Sequence, residues 1–142
     1  MSHAFQGKWI TNEYFAEVKP RDLFYQHPYK MNILMSHHDP YTNVHLLYRK
    51  KFVLESCGKA YLYVSADDFY KLYINGVFVD MGPASSYKWA YRYHRLDVTR
   101  FLREGENVIA VHTYYQGLVN RFYVSGDLNH GLILDLTVDG KT

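Results

Sequence analysis

The sequence predicts an all-β domain, a sandwich or a barrel, and three observations carry that prediction. Residues Lys59 to Ala66 alternate strictly, with Ala60, Leu62, Val64 and Ala66 on one face and Tyr61, Tyr63 and Ser65 on the other. Period two is the mark of a half-buried strand. Asn75-Gly76 stands between two short apolar runs and supplies both positive-φ positions of a type I′ hairpin turn. No amphipathic pattern exceeds about two helical turns, whereas short strand signals recur with turn residues between them.

Taken in order, the elements fall into two regions. Residues 1–43 are irregular, hold Pro20, Pro28 and Pro40, and read as an extended arm with short pieces of strand such as Lys8-Trp9-Ile10. An arm that long must be pinned to something, and its Phe5, Trp9, Phe15, Leu23, Phe24, Tyr25, Ile33 and Leu34 could pack on the sandwich or on a missing neighbour. Residues 44–142 form the β-sandwich. Val44 to Leu54 is a strand rich in apolar, aromatic and β-branched residues, and it contains the densest basic run, Arg49-Lys50-Lys51. Tyr70 to Ile74 and Val77-Phe78-Val79 flank the hairpin turn. Met81 to Ala90 reads as a loop and Tyr91 to Leu96 as a strand. Asp97 or Thr99 caps one helical turn over Arg100-Phe101-Leu102-Arg103, which Gly105 ends. Val108 to Thr113 is a strand, Tyr114 to His130 a long loop, and Gly131 to Val138 the last strand. Asp139-Gly140 is a second hairpin turn, reached two residues before the sequence stops, so the domain is expected to be truncated before its final strand.

Composition narrows the function classes. The chain has 142 residues, 48% of them apolar, enough for one core without disulfide staples. Fifteen Tyr, 8 Phe and 2 Trp suit pleated, half-buried surfaces, with sugar stacking or a partner interface as the sharper alternative. A net charge of +2 with mixed signs presents neither the basic face nor the motif of a nucleic-acid binder. No run approaches the ~20 apolar residues of a membrane span. The first ten residues lack the features of a signal peptide, so a cytoplasmic location is the default. Cys57 is the single cysteine, which rules out an internal disulfide.

From Ala66-Asp67-Asp68 onward the motifs resemble a known family. Leu72-Tyr73-Ile74-Asn75-Gly76 is followed by Gly82-Pro83, Tyr91-Arg92-Tyr93, Asp97-Val98-Thr99, Leu102 and Gly105-Glu106-Asn107-Val108-Ile109-Ala110. That order resembles the N-terminal jelly-roll accessory domain of bacterial α-L-rhamnosidases, within the galactose-binding-like superfamily. Lys8-Trp9-Ile10, the strand at Tyr48-Arg49-Lys50-Lys51-Phe52 and the tail Ser125-Gly126-Asp127 with Gly131-Leu132 agree with it. The hairpin and the Asp-Val-Thr and Gly-x-Asn-Val-Ile elements also occur in accessory domains of β-galactosidase-like enzymes. The resemblance implies a non-catalytic piece of a glycoside hydrolase. Its partners would be the catalytic domain of the parent enzyme and a rhamnose-containing glycan. A stand-alone carbohydrate-binding module and a β-galactosidase-like accessory domain are the alternatives. On their own physical chemistry the shared motifs are turns and caps, hence determinants of fold.

No catalytic residue is expected. The resemblance implies inversion by two carboxylates in a separate (α/α) barrel, about 6.5–9.5 Å apart, and the chain has no helical region to build one. Asp67-Asp68, the only adjacent acidic pair, is expected to turn the chain at a strand end. His37-His38-Asp39, with His27 and His45, offers metal-ligating types, yet adjacent histidines before Pro40 meet one metal poorly, and no metal is assigned there. Jelly-roll modules of this kind hold a structural Ca²⁺ through loop oxygens, for which Asp67, Asp68 and Asp127 are the candidates; no other cofactor is expected. For carbohydrate binding or domain docking two loops offer aromatic faces and planar polar groups. The first carries Tyr87, Trp89 and Tyr91, the second Tyr114, Tyr115, Gln116, Asn120 and Arg121. Docking is the preferred of the two readings.

Overall fold

The structure, a computed structural model, describes residues 3–15, 21–22, 43–87, 89–119 and 130–142. In chain order the strands are β1 (Arg21–Asp22), β2 (Val44–Leu54), β3 (Ala60–Asp67), β4 (Phe69–Ile74), β5 (Val77–Gly82), β6 (His94–Asp97), β7 (Gly105–Tyr115), β8 (Leu118–Val119) and β9 (Gly131–Val138). Two antiparallel sheets make a β-sandwich, one ordered β2-β7-β4-β5 and the other β6-β3-β9, while β1 and β8 form a short parallel pair. Single turns of 3₁₀ helix occur at Glu13–Phe15 and Thr99–Phe101. Among the described residues no helix is long and apolar enough to cross a membrane.

Alternation builds the core. Ala60, Leu62, Val64 and Ala66 of β3 are buried and face Tyr70, Leu72 and Ile74 of β4 and Ile109 and Val111 of β7, with Leu132 of β9 in the same cluster. Val98 and Leu102 close one end. Each fully buried aliphatic side chain contributes roughly 1.5–3 kcal/mol. The intervening Tyr61 and Tyr63 are half-buried on the opposite face of β3.

Both hairpin turns have the backbone their sequence requires. Asn75 and Gly76 have φ of 50° and 83°, and Asp139 and Gly140 have 50° and 79°. After the second turn Lys141 pairs back onto Val138, so a single bridge of return is present where none was expected. Asn75 does more than turn: its amide donates to the Phe101 carbonyl and to Asn107 Oδ1, and its Oδ1 accepts from Val108 N, each at 2.9 Å. Asn107, fully buried, accepts from Arg103 N and donates to the carbonyls of Arg103 and Gly105. Thus the hairpin tip, the 3₁₀ turn and the start of β7 are tied by two asparagines.

Several boundaries differ from the sequence expectation. β7 starts three residues earlier and ends two residues later than Val108 to Thr113, because it is paired along its whole length with β2, from Val44↔Tyr115 to Leu54↔Gly105. Tyr114 and Tyr115 therefore belong to a strand and not to a loop. β5 extends through Met81 and Gly82, which pair with Lys71 and Tyr70. β6 starts only at His94, leaving Tyr91, Arg92 and Tyr93 outside it. Lys8-Trp9-Ile10 makes one bridge, Ile10↔Leu132, instead of a strand. At the 3₁₀ turn Asp97 Oδ1 accepts from Thr99 N at 3.1 Å and Oγ1 at 2.7 Å, while the residue at the cap position is Val98.

Two polar anchors hold the described part of the N-terminal segment. Buried Asp135 on β9 accepts from Gln6 N and Gly7 N, both at 2.8 Å, and from His3 Nε2 at 2.9 Å. Burial opposes its charge, but the Gln6 N–H, His3 and the Gly7 N–H outweigh that and hold its carboxyl below the ordinary range. His3 also lies flat on Tyr63, centroids 3.7 Å apart. The second anchor is His130, buried between Thr11 Oγ1 and Thr113 Oγ1 at 2.9 Å each, with Phe15 and Tyr115 against its ring. Burial lowers its pKa to about 4, so the imidazole is neutral at physiological pH.

Candidate functional site

The loop after β5 is closed by a tight backbone pair, with Ala90 N donating to the Tyr87 carbonyl at 2.8 Å. That closure places Tyr87 and Trp89 face to face, with centroids 5.0 Å apart and planes 7° from parallel. Both are solvent-facing, Trp89 at 74% exposure. Tyr91 leaves this pair and turns inward. Its ring meets Trp9 at 5.0 Å, and its hydroxyl lies 3.4 Å from Asp67 Oδ2 as donor. Next to it the Arg92 carbonyl accepts from Ser65 Oγ at 2.7 Å.

The second group divides because it sits on a strand end, where successive side chains face opposite ways. Tyr115 is fully buried against Phe15 and His130. It is core, which corrects its assignment to an exposed loop. Tyr114 faces outward, its hydroxyl donating to Asn43 Oδ1 at 2.6 Å and its ring 5.0 Å from His45. Burial, then the charge of Asp68, raises the pKa of its phenol. Gln116 donates its backbone N–H to Asp68 Oδ2 at 2.7 Å. Asn120 and Arg121 lie outside the described residues, as do His27, His37, His38, Asp39 and Asp127.

Asp67 and Asp68 are the hub that both groups reach. Asp67 ends β3 and Asp68 alone separates it from β4 in the other sheet, which matches the turning role expected of the pair. Asp68 N donates to the Tyr114 carbonyl at 3.3 Å. Both carboxylates are buried. Asp68 Oδ1 and Gln116 Oε1 are each buried without a hydrogen-bond partner, two acceptors in need of a donor.

Sequence reasoning missed three constellations. On the outer face of the four-stranded sheet an open cleft of about 410 Å³ is lined by His45, Phe69, Lys71, Met81, His112 and Tyr114. Between the sheets Asp80 Oδ2 accepts from the Tyr70 hydroxyl at 2.7 Å and from His94 Nδ1 at 2.6 Å. Burial, then Asp80, pushes the Tyr70 phenol well above its ordinary range, so it stays a donor, tying β4 to β5 and β6. The third is the Thr11–His130–Thr113 anchor. Alternation along each strand would have shown which face each residue takes, but only the register brings them together.

Residues 55–127 match the family model described as the α-L-rhamnosidase N-terminal domain. Among solved structures, the GH78-family rhamnosidase of Bacillus sp. GL1 is similar at 35% identity and a TM-score of 0.65, over 71% of this chain and 11% of that one. The α-L-rhamnosidase of Aspergillus terreus is similar at 26% identity and a TM-score of 0.56, over 73% of this chain and 14% of that one. The α-L-rhamnosidase of Dictyoglomus thermophilum shares the fold at 23% identity and a TM-score of 0.51, over 68% of this chain and 11% of that one. The chain therefore spans about a tenth of the length of these relatives. No curated protein matches it.

Proposed function

This chain belongs to the α-L-rhamnosidase N-terminal domain family, and from that premise we propose that it is a non-catalytic accessory domain of an α-L-rhamnosidase-like glycoside hydrolase, packing against the catalytic barrel and shaping glycan access. One observation supports the packing above all. The outer face of the four-stranded sheet is left uncovered by the described residues and carries Leu47, Val53 and Met81 at 82%, 72% and 61% exposure. The register sets Leu47, His112, Lys71 and Met81 in one row across all four strands, with Phe78 beside Tyr73 one row on. Exposed apolar side chains gathered on one sheet face mark an interaction face, here interspersed with Lys71 in the row and Arg49 and Lys51 further along β2. Of the aromatics singled out by sequence, the exposed Tyr87–Trp89 stack adds to such a surface.

Sedimentation velocity tests the reading. The isolated chain is expected to self-associate with rising concentration. Leu47→Lys combined with Met81→Lys should abolish that association and leave the denaturation midpoint unchanged. A wild-type chain that stays monomeric at every concentration would count against an adhesive face.

A second reading, direct glycan contact, is supported by the unpartnered Asp68 Oδ1 and Gln116 Oε1. Sugar hydroxyls would give these acceptors their donors. A Ca²⁺ ion is the cofactor that such oxygens fit, although no group of three or more His, Cys, Asp or Glu gathers among the described residues. Rhamnose and Ca²⁺, titrated separately, distinguish the two by whether the Tyr91 and Gln116 NMR signals respond to sugar or to metal. Silence in both would leave docking alone.

A further inference from the structure

The outer sheet face holds a histidine pair, one member of which, His112, stands in the row assigned above to docking. His45 on β2 lies opposite Tyr114, and His112 on β7 opposite Leu47, so the two are diagonal neighbours on one face. His45 Nδ1 and His112 Nε2 are 2.9 Å apart, with ring centroids at 4.9 Å. Two imidazole nitrogens brought this close share either a proton or a metal ion. We propose that His45 and His112 form a bidentate site for a late first-row divalent ion, Cu²⁺ ahead of Ni²⁺ and Zn²⁺.

Geometry ranks the metals. Imidazole nitrogens bind such ions at about 2.0–2.1 Å. Two ligands at that radius and 2.9 Å apart subtend roughly 90° at the metal, the cis angle of tetragonal or octahedral coordination. Tetrahedral binding would need the nitrogens about 3.3 Å apart. Cu²⁺ and Ni²⁺ favour tetragonal nitrogen sites, and Cu²⁺ heads the stability order for nitrogen ligands. Mg²⁺ and Ca²⁺ want oxygen ligands, and no carboxylate lines this cleft among the described residues.

The surroundings agree with binding. β2 and β7 are joined by an eleven-residue ladder, so the two Cα positions are fixed before any ion arrives. The open cleft of about 410 Å³ gives each ring room to turn its lone pair from the other nitrogen toward a shared ion. Lys71 lies opposite His112 and opposes a cation, but its long stem can swing its charge into solvent. No third His, Cys, Asp or Glu joins the pair among the described residues. The remaining positions on the metal thus belong to water or to an added ligand.

The test is isothermal titration of the chain with CuCl₂, NiCl₂, ZnCl₂ and MgCl₂ at neutral pH, paired with denaturation midpoints. Expected are one Cu²⁺ bound with the wild-type midpoint raised, weaker responses to Ni²⁺ and Zn²⁺, and none to Mg²⁺. His45→Asn and His112→Asn should each weaken that Cu²⁺ event by about ten-fold or more and cancel its effect on the midpoint. Other histidines can bind copper too, so the difference between wild type and variants is the readout. If the Asn variants fold poorly, paramagnetic loss of the His45 and His112 ring signals on adding Cu²⁺ to the wild type serves in their place. Variants that retain wild-type affinity, or ring signals that persist, would overturn the proposal.

Discussion

Replacing Asn107 by Ala should cost about 2–4 kcal/mol of stability, although this residue touches no candidate site. The side chain is fully buried and makes four hydrogen bonds. It accepts from Arg103 N at 3.0 Å and Asn75 Nδ2 at 2.9 Å, and donates to the Arg103 carbonyl at 2.6 Å and the Gly105 carbonyl at 3.0 Å. Each such bond is worth about 1 kcal/mol net, and a partner left buried without one costs about 1–3 kcal/mol. Four bonds give about 4 kcal/mol, reduced where water reaches the groups near the exposed Arg103 and Glu104. Asn107→Asp sharpens the test. It keeps both accepting roles but sets a carboxylate against two carbonyl oxygens, so it should be at least as damaging at neutral pH and recover partly on acidification, when the protonated acid regains one donor. Urea denaturation with an unchanged slope is the assay. An Ala variant within about 0.5 kcal/mol of wild type would refute the reasoning, since that is the ordinary range of a neutral surface change.

Other expectations follow from the same structure. Gly76→Val should destabilise by about 1 kcal/mol or more. A Cβ at Gly76 meets nothing within 4 Å, so the whole cost would be the φ of 83°; an unchanged denaturation midpoint would contradict it. His130 makes the fold acid-sensitive. Its pKa is about 4 when folded against 6.5 as the ordinary value, so between those limits the unfolded chain binds more protons and stability falls as pH falls. The loss approaches about 3 kcal/mol by pH 4. His130→Gln should flatten that slope in denaturation midpoints measured across this range, and an identical pH profile would contradict the assignment. The purified chain should not hydrolyse aryl α-L-rhamnosides, and turnover abolished by Asp67→Asn or Asp68→Asn would contradict a non-catalytic role.

Much of the fold was legible because alternation and turn chemistry are local. β3, β9 and both Asn-Gly or Asp-Gly turns follow from period two and from positive φ alone. β7 was under-read at both ends, because Gly105, Glu106 and Asn107 look like a turn and Tyr114 and Tyr115 look loop-like until β2 is aligned beside them. Tyr115 was misplaced for the same reason: whether a strand-end tyrosine is core or surface depends on what packs over it, here Phe15 and His130 from distant segments. Asn107 was legible as a turn residue but not as a buried hub, since Asn75 and Arg103 reach it through the topology. The His45–His112 pair required a register that no single strand encodes.

Hydroxyl-radical footprinting of Leu47, Phe78 and Met81 tests the central claim most directly, comparing this isolated chain with the natural full-length gene product. The account predicts rapid oxidation of Met81 and Phe78 in the isolated chain, where they are 61% and 49% exposed, and strong protection of all three in the full-length product. Equal oxidation in both would contradict an accessory domain seated on its catalytic partner through this face.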